Sequence, residues 1–282
     1  MGDSLTVTDS SLSSTQKTYA HGYDTALTLK LHASRTAAVQ ASWFLPYLRP
    51  GMTLLDCGCG SGSITIGLAE AVAPGQVTGV DISAIEIERA QERAAAASLT
   101  NVHFKTGNLT HLDFPDNTFD ALFSHNVLEH VNEPAIALQE MRRVLKPGGV
   151  IGIRDVDLGG HLLAPDDESI QQWLVIYEAY WAGVGGHPRL GRQLHSLLIA
   201  AGFSDVQASA SYEVYSDLES RRFISQIAVN RVQEPDYVRR VVESGLASRE
   251  QLIAISAAWS AWPEWTNAFL AQAHGEAVGW KP

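Results

Sequence analysis

Short apolar segments alternate with segments of helical periodicity along the middle of the chain. The strand-length apolar runs are 52–55, 76–80, 102–105, 119–124 and 150–156. Before and between them, apolar residues recur every three or four positions, which is the spacing of a helix. The helices predicted in this way are 30–48, 64–73, 83–97 and 133–145. Because strands that alternate with helices need crossover connections, the pattern predicts an α/β fold with a parallel sheet and helices on both faces.

The pattern changes after residue 160. Helices are predicted over 168–182 and 192–201, a hairpin-like pair of strands over 203–210 and 212–215, and three helices over 217–270. The first 15 residues are rich in Ser and Thr, which is typical of a disordered tail. We therefore predict a disordered tail at 1–15, one domain at 16–215, and a helical C-terminal extension at 216–282 that packs on the same domain.

A glycine-rich loop follows the first predicted strand. Asp56 ends the strand, and Gly58, Gly60 and Gly62 follow at alternate positions before a helical segment begins. Glycine reaches positive φ at little cost and lets a ligand approach the backbone closely. A strand, a glycine-rich turn and a helix in this order predict a site for a nucleotide-type cofactor.

The charges around the loop decide between cofactors. Asp56 would repel a pyrophosphate and attract a cation, and Ser63 stands in the slot of the third glycine of the dinucleotide fingerprint. No Lys or Arg lies between Arg49 and Arg89, which excludes a P-loop. These features favour a ligand with a ribose, a positive charge and no phosphate. S-adenosylmethionine has these properties, and Asp81, after the second strand, is placed to accept hydrogen bonds from both ribose hydroxyls.

Four stretches together are more specific than the glycine loop alone. They are 54–62 (LLDCGCGSG), 79–83 (GVDIS), 119–130 (FDALFSHNVLEH) and 145–149 (LKPGG). In order and spacing they resemble the class I S-adenosylmethionine-dependent methyltransferases. The resemblance is to the small-molecule group of this family (methyltransferase type 11), which includes the ubiquinone and menaquinone methyltransferases. The resemblance covers about residues 35–156. It implies a Rossmann-like fold with a mostly parallel seven-stranded sheet, S-adenosyl-L-methionine as cofactor and S-adenosyl-L-homocysteine as product.

The resemblance also implies which residues bind the cofactor. They are Asp56, Cys57, Gly58, Gly60, Gly62, Asp81, Ile82, Asn108, Leu109, His125 and Asn126. In this assignment Asp81 holds the ribose and Ile82 packs on the adenine. Asn108 replaces the acid of many relatives, although its carbonyl can still accept a hydrogen bond from the adenine amine. His125 and Asn126 follow the fourth strand and would face the reactive methyl group.

Candidates for a catalytic base are His125, His21 and Asp155. His125 could instead pack on the adenosine, and Asp155 could instead form an ion pair with Arg154. Glu129 and His130 are weaker candidates that could cap the next helix.

Acceptor-binding candidates come from three segments. Tyr19 and Tyr23, with His21 between them, predict an aromatic lid whose faces would stabilise a sulfonium. Trp173 and Tyr177 form an aromatic stripe that is either core or substrate pocket. His187 and Arg192 belong to a glycine-rich segment whose charges could meet an acidic or polar acceptor. The predicted acceptor-binding set is therefore Tyr19, Tyr23, Trp173, Tyr177, His187 and Arg192.

The composition of the chain limits the kinds of partner and ligand that it is expected to bind. The 282-residue chain carries 20 basic and 31 acidic side chains, a formal charge of −11, which disfavours nucleic acid and anionic membranes. Its two cysteines, one residue apart, provide neither a disulfide framework nor a zinc site, and we predict no metal. The chain has no signal-like N-terminus and no apolar run of ~18 residues, so we predict a cytoplasmic protein without membrane insertion. The C-terminal helices could pack on the domain or form a homodimer.

The leading hypothesis is methyl transfer to an O, N or C atom of a small organic acceptor. The alternatives are an NAD-dependent oxidoreductase, which Asp56 and Ser63 disfavour, and a non-catalytic or pericyclase-like relative that binds the cofactor.

Overall fold

A computed structural model describes residues 26–282, and the statements below concern those residues. The predicted disordered tail at 1–15 and the predicted lid residues Tyr19, His21 and Tyr23 lie outside them.

A sheet of eight strands forms the centre of the described chain. The strands are β1 (Leu54–Cys57), β2 (Val77–Asp81), β3 (Val102–Thr106), β4 (Phe119–His125), β5 (Leu145–Val156), β6 (Leu162–Ala164), β7 (Ser204–Tyr215) and β8 (Phe269–Trp280). Their order is β3-β2-β1-β4-β5-β8-β6, and β7 also pairs with β8. Strands β1 to β5 are parallel, whereas β5, β6 and β7 each run antiparallel to β8. The predicted Rossmann-like fold is confirmed, with the three-residue β6 as an eighth strand.

Ten helices surround the sheet in the described residues. They are α1 (Ala26–Ser34), α2 (Ala37–Gln40), α3 (Ser63–Val72), α4 (Ala84–Ala96), α5 (Pro134–Val144), α6 (Glu168–Gly183), α7 (Leu194–Ala200), α8 (Leu218–Gln233), α9 (Pro235–Glu243) and α10 (Arg249–Ala261). Ser83 caps α4, as predicted, by accepting a hydrogen bond from the Glu86 N–H at 3.3 Å. The helix predicted over 30–48 is instead three short pieces, α1, α2 and a 3₁₀ turn at Leu45–Tyr47.

The end of the chain differs most from the prediction. The expected hairpin over 203–215 is one continuous strand, β7, because its partner is β8. Strand β8 was not predicted: much of it is alanine and glycine, which have low strand propensity. Gly275 is required there, because a Cβ at this position would lie 2.0 Å from the Gly191 carbonyl oxygen. Helices α8 to α10 therefore lie between two strands of the sheet and are not a terminal extension.

Three hydrophobic clusters hold the elements together. Leu54 and Leu55, neighbours on β1, belong to clusters on opposite faces of the sheet, as strand alternation requires. The third cluster joins α6 with α8, α9 and α10 around Trp259 and Trp262, which are almost fully buried. It places a layer of aromatic side chains beside the carboxyl ends of the parallel strands. Over 26–282, no helix combines the length and the apolar character needed to cross a membrane.

Candidate functional site

The glycine loop opens a cleft where β1 meets β2 and β4. The strand order reverses at β1, and such a switch point is where open parallel sheets bind ligands. Gly58, Gly60 and Gly62 have φ of +80°, +50° and +73°. A Cβ added at Gly60 would meet no atom within 4 Å, so the loop backbone borders open space in the cleft. The backbone at these three positions has the positive φ for which glycine was predicted.

Three carboxylates line this cleft: Asp56, Asp81 and Glu86. The Asp81 carboxylate accepts hydrogen bonds from the backbone N–H groups of Gly60 and Ser83, both at 2.9 Å. It thereby ties the glycine loop to the end of β2, and burial raises its pKa.

Asp56 is the most deeply buried of the three carboxylates. It accepts a hydrogen bond from the Thr65 hydroxyl at 2.6 Å. Burial raises the pKa of Asp56 to about 7; the Thr65 hydrogen bond opposes this shift and the charge of Asp81 adds to it. A bound cation would reverse the shift, so the site suits a ligand with a positive end.

Arg35 also lines the cleft, although no motif in the sequence predicted it. It is the one Lys or Arg among the described residues that line this space, and its Nε is buried without a hydrogen-bond partner. Burial lowers the pKa of neighbouring His32 to about 3, so that ring is neutral. Arg35 can therefore meet a ligand carboxylate. It precedes β1 by many residues and belongs to no motif, which is why no sequence signal marked it.

His125 ends β4 inside the cleft, with its ring stacked between those of Phe123 and His274 at 6.5 and 6.1 Å. Its Nδ1 lies 3.4 Å from Nη1 of Arg154. A guanidinium only donates, so Nδ1 accepts and Nε2 carries the ring hydrogen. Burial, with the charges of Arg35 and Arg154, lowers the pKa of His125 well below its usual value. The ring is therefore neutral with its hydrogen on Nε2, and its predicted role as a base stays a prediction.

Asn126 follows His125 and lines both the cleft and a second cavity. Its φ of +53° is uncommon for a residue with a side chain. His274 Nδ1 lies 3.2 Å from the Gln272 carbonyl, which only accepts, so His274 Nε2 is an acceptor. Asn126 Nδ2 faces that nitrogen at 3.5 Å. The Asn126 Oδ1 is buried without a partner among the described residues. An acceptor atom therefore remains available at the junction of the cleft and the second cavity.

The second cavity has a volume of about 180 Å³ and lies between the segment that follows β4, strand β8, and helices α6, α8 and α10. The predicted acceptor residues Trp173 and Tyr177 line it, together with Trp181 and Trp259. His32, Arg35, Asn126 and His130 line both spaces. The acidic cleft and the aromatic cavity are therefore adjacent and share part of their walls.

Comparisons with known proteins agree with this geometry. Residues 48–202 match the family described as "Methyltransferase domain", which is more than half of the chain. An uncharacterized methyltransferase of Schizosaccharomyces pombe is 31% identical over 268 residues, covering 92% of this chain and 95% of that protein. The chain belongs to the methyltransferase family. The recognition of a class I S-adenosylmethionine-dependent methyltransferase is thereby confirmed.

Two further comparisons cover a smaller part of this methyltransferase or show its fold alone. A demethylmenaquinone methyltransferase of Staphylococcus aureus is 43% identical over 105 residues, covering 37% of this chain and 43% of that protein. The phosphoethanolamine N-methyltransferase 2 of Haemonchus contortus, solved with S-adenosylhomocysteine, has a TM-score of 0.53 at 19% identity. That alignment covers 83% of this methyltransferase and 49% of the other chain, and shows that the two share a fold.

Several predicted cofactor contacts of the methyltransferase lie outside the enclosed cleft. The Cys57 side chain points into the core, on the face of β1 opposite to Asp56, and Cys59 lines the cleft instead. Ile82 is 46% exposed, and Leu109 packs in the core. The Asn108 carbonyl accepts hydrogen bonds from the backbone N–H and hydroxyl of Thr110 at 3.0 and 2.9 Å. The adenine contacts of these residues stay predictions.

Asp155 does not have the predicted catalytic position. It is fully buried and lines neither the cleft nor the cavity. One of its oxygens accepts a hydrogen bond from the Val127 N–H at 2.9 Å, and its carboxyl group hydrogen bonds with that of Glu129. Burial raises the pKa of Asp155 to about 7. Arg154, the alternative partner considered for Asp155, lies near Glu213 and Glu276 instead, at 3.3 and 3.4 Å.

His187 and Arg192 do not line the aromatic cavity, contrary to the prediction. Two nitrogens of Arg192 each lie 2.6 Å from the Asp157 carboxylate, so this guanidinium is already paired. His187 Nε2 lies 3.4 Å from the Asn132 carbonyl. Local contacts that sequence spacing does not reveal occupy both side chains. Within 26–282, His, Cys, Asp and Glu residues form no group of three that could hold a metal ion.

Binding of S-adenosylhomocysteine is expected to weaken by about tenfold when the pH falls from 8 to 6. The pKa of Asp56 is about 7, so below that pH a proton competes with the ligand's ammonium for the carboxylate. His32 does not titrate in this window, because its pKa is about 3. Calorimetry across this pH range measures the effect. Asp56→Asn should bind more weakly but with a flatter profile; a wild-type profile as flat as that of the variant would contradict the assignment.

Proposed function

We propose that the protein transfers a methyl group from S-adenosylmethionine to an O, N or C atom of a small organic acceptor in the aromatic cavity. One observation carries the proposal: the carboxylate-lined cleft at the switch point lies next to an aromatic cavity, and four residues line both spaces. Donor and acceptor in these two spaces would meet at Asn126.

The residues of the cleft fit the cofactor. Asp56 would hold the ammonium of the methionine end, Arg35 its carboxylate, and Asp81 the ribose hydroxyls. The open space beside Gly60 leaves room for the ligand against the loop backbone. When bound, S-adenosylmethionine supplies a methyl group that its sulfonium already makes electrophilic.

The protein's own contribution is then mainly alignment. Asn126 Oδ1 has no partner among the described residues and would accept a hydrogen bond from an O–H or N–H of the acceptor. The contact with His274 fixes which end of the amide faces the junction. The His125 Nε2–H would donate to a polar atom in the cleft. Alignment of this kind can contribute several kcal/mol to catalysis.

The experiment has two parts. Calorimetry with S-adenosylhomocysteine and NAD tests the donor, and we expect binding of the former only; tight binding of NAD alone would favour the oxidoreductase. Incubation with methyl-labelled S-adenosylmethionine and a panel of phenols, amines and acids then tests transfer. Bound cofactor without labelled product across the panel would favour a non-catalytic or pericyclase-like relative.

The remaining expectations belong to the same proposal. The formal charge of −11 supports a small-molecule acceptor over nucleic acid. A single catalytic domain beginning near residue 16, a cytoplasmic location and a homodimer stay predictions. Light scattering of the purified protein measures the oligomeric state.

A further inference from the structure

Aromatic rings in mutual contact line the aromatic cavity. The rings of Trp173 and Tyr177 are nearly parallel, with centroids 5.1 Å apart and an angle of 7° between the planes. Trp259 meets Trp173 edge-on at 5.2 Å. The volume of about 180 Å³ is slightly larger than a cavity of ~150 Å³ that accepts benzene. The shape and size suit a single flat ring.

Two of the polar side chains at these walls offer hydrogen-bond donors, Trp173 and Arg231. Trp173 Nε1 is buried without a partner, and an indole nitrogen can only donate. Arg231 of α8 and Tyr177 of α6 also line the cavity. Because an unsatisfied buried donor is costly, these groups favour a ligand that brings acceptor oxygens.

Glu129 is the one acid among the described residues that line this cavity. Its Oε2 accepts a hydrogen bond from the Val156 N–H at 2.6 Å, and its carboxyl group is paired with that of Asp155. Burial, with the charge of Asp155, raises the pKa of Glu129 well above its usual value. Among the described residues that line the cavity, Arg231 is the Lys or Arg that is not assigned to the cofactor, and its guanidinium can pair with an anionic group.

We propose that the acceptor is a single-ring aromatic compound with an anionic oxygen group, a carboxylate or a phenolate. Its ring lies against Trp173 and Tyr177, and its oxygens bind Arg231 and the Trp173 N–H. This inference rests on the proposed function, since it names the substrate class of that reaction. Arg231 acts here as a specificity-determining residue.

The test uses the full chain saturated with S-adenosylhomocysteine. Benzoate, benzyl alcohol and benzylamine share a ring but differ in charge, and calorimetry or ligand-observed NMR measures their binding. We expect benzoate to bind at least tenfold more tightly than benzyl alcohol, and benzylamine not to bind. Arg231→Gln should weaken benzoate binding about tenfold, and Trp173→Phe, which keeps a ring and removes the N–H, several-fold.

The matched control is Arg222→Gln. Arg222 lies on the same helix, is 61% exposed and pairs with Glu264. It should leave benzoate binding unchanged, and all variants should retain the affinity for S-adenosylhomocysteine, which reports on folding and on the donor site. Three results would overturn the inference alone: benzylamine binding as tightly as benzoate, unchanged benzoate affinity in Arg231→Gln, or no probe binding below about 10 mM. Failure to bind S-adenosylhomocysteine would instead overturn the proposed function.

Discussion

Replacing Asp81 by alanine is expected to weaken the binding of S-adenosylhomocysteine by about 2 kcal/mol or more, roughly 30-fold. The carboxylate is the proposed ribose ligand, and it also accepts the backbone N–H groups of Gly60 and Ser83. The variant therefore loses a charged contact to the ligand and a contact that holds the glycine loop in place. Calorimetry at pH 8, where the Asp56 carboxylate is ionised, measures the change.

Two controls separate these effects. Glu86→Gln removes a charge from the same cleft and should cost much less affinity, because Glu86 accepts no hydrogen bond from the glycine loop. Asp81→Asn keeps the shape and one acceptor oxygen, and should fall between alanine and wild type. If Asp81→Ala bound S-adenosylhomocysteine as tightly as wild type, the ribose role would be wrong.

The cofactor cleft could be predicted because the sequence patterns that indicate it are local. Strands β1, β2 and β4 are short apolar runs, since both faces of a parallel sheet are buried. Asp56 and Asp81 each stand at the end of such a strand, so their position in the cleft follows from the element alone.

The aromatic cavity, the proposed site of the methyl acceptor, was less predictable because segments distant in the sequence form it. Trp173, Arg231 and Trp259 meet in one cavity from three helices, and no spacing in the sequence links them. The tautomer of His125 could not be predicted either. Its position at a strand end could be predicted, but Arg154 on the neighbouring strand determines which ring nitrogen carries the hydrogen.

Gly58→Ala is expected to lower the free energy of unfolding by about 3 kcal/mol, the sum of a steric and a conformational term. An added Cβ would lie 2.3 Å from Cγ2 of Val127, and the residue has a φ of +80°. Chemical denaturation measures the loss. Gly51→Ala is the matched control: its φ is +90° but a Cβ would meet no atom within 4 Å, so only the conformational term, about 1 kcal/mol, should remain.

The same substitution should also impair ligand binding on both sides of the junction. Val127 donates its backbone N–H to Asp155, whose carboxyl group is paired with that of Glu129 in the aromatic cavity. A Val127 side chain displaced by the new methyl group would therefore disturb the cleft and the acceptor cavity together. The double variant Gly58→Ala with Val127→Ala removes the clash and should regain part of the stability and of the S-adenosylhomocysteine affinity. If the double variant is no more stable than Gly58→Ala, the close packing of Val127 on the glycine loop is not the cause of the loss.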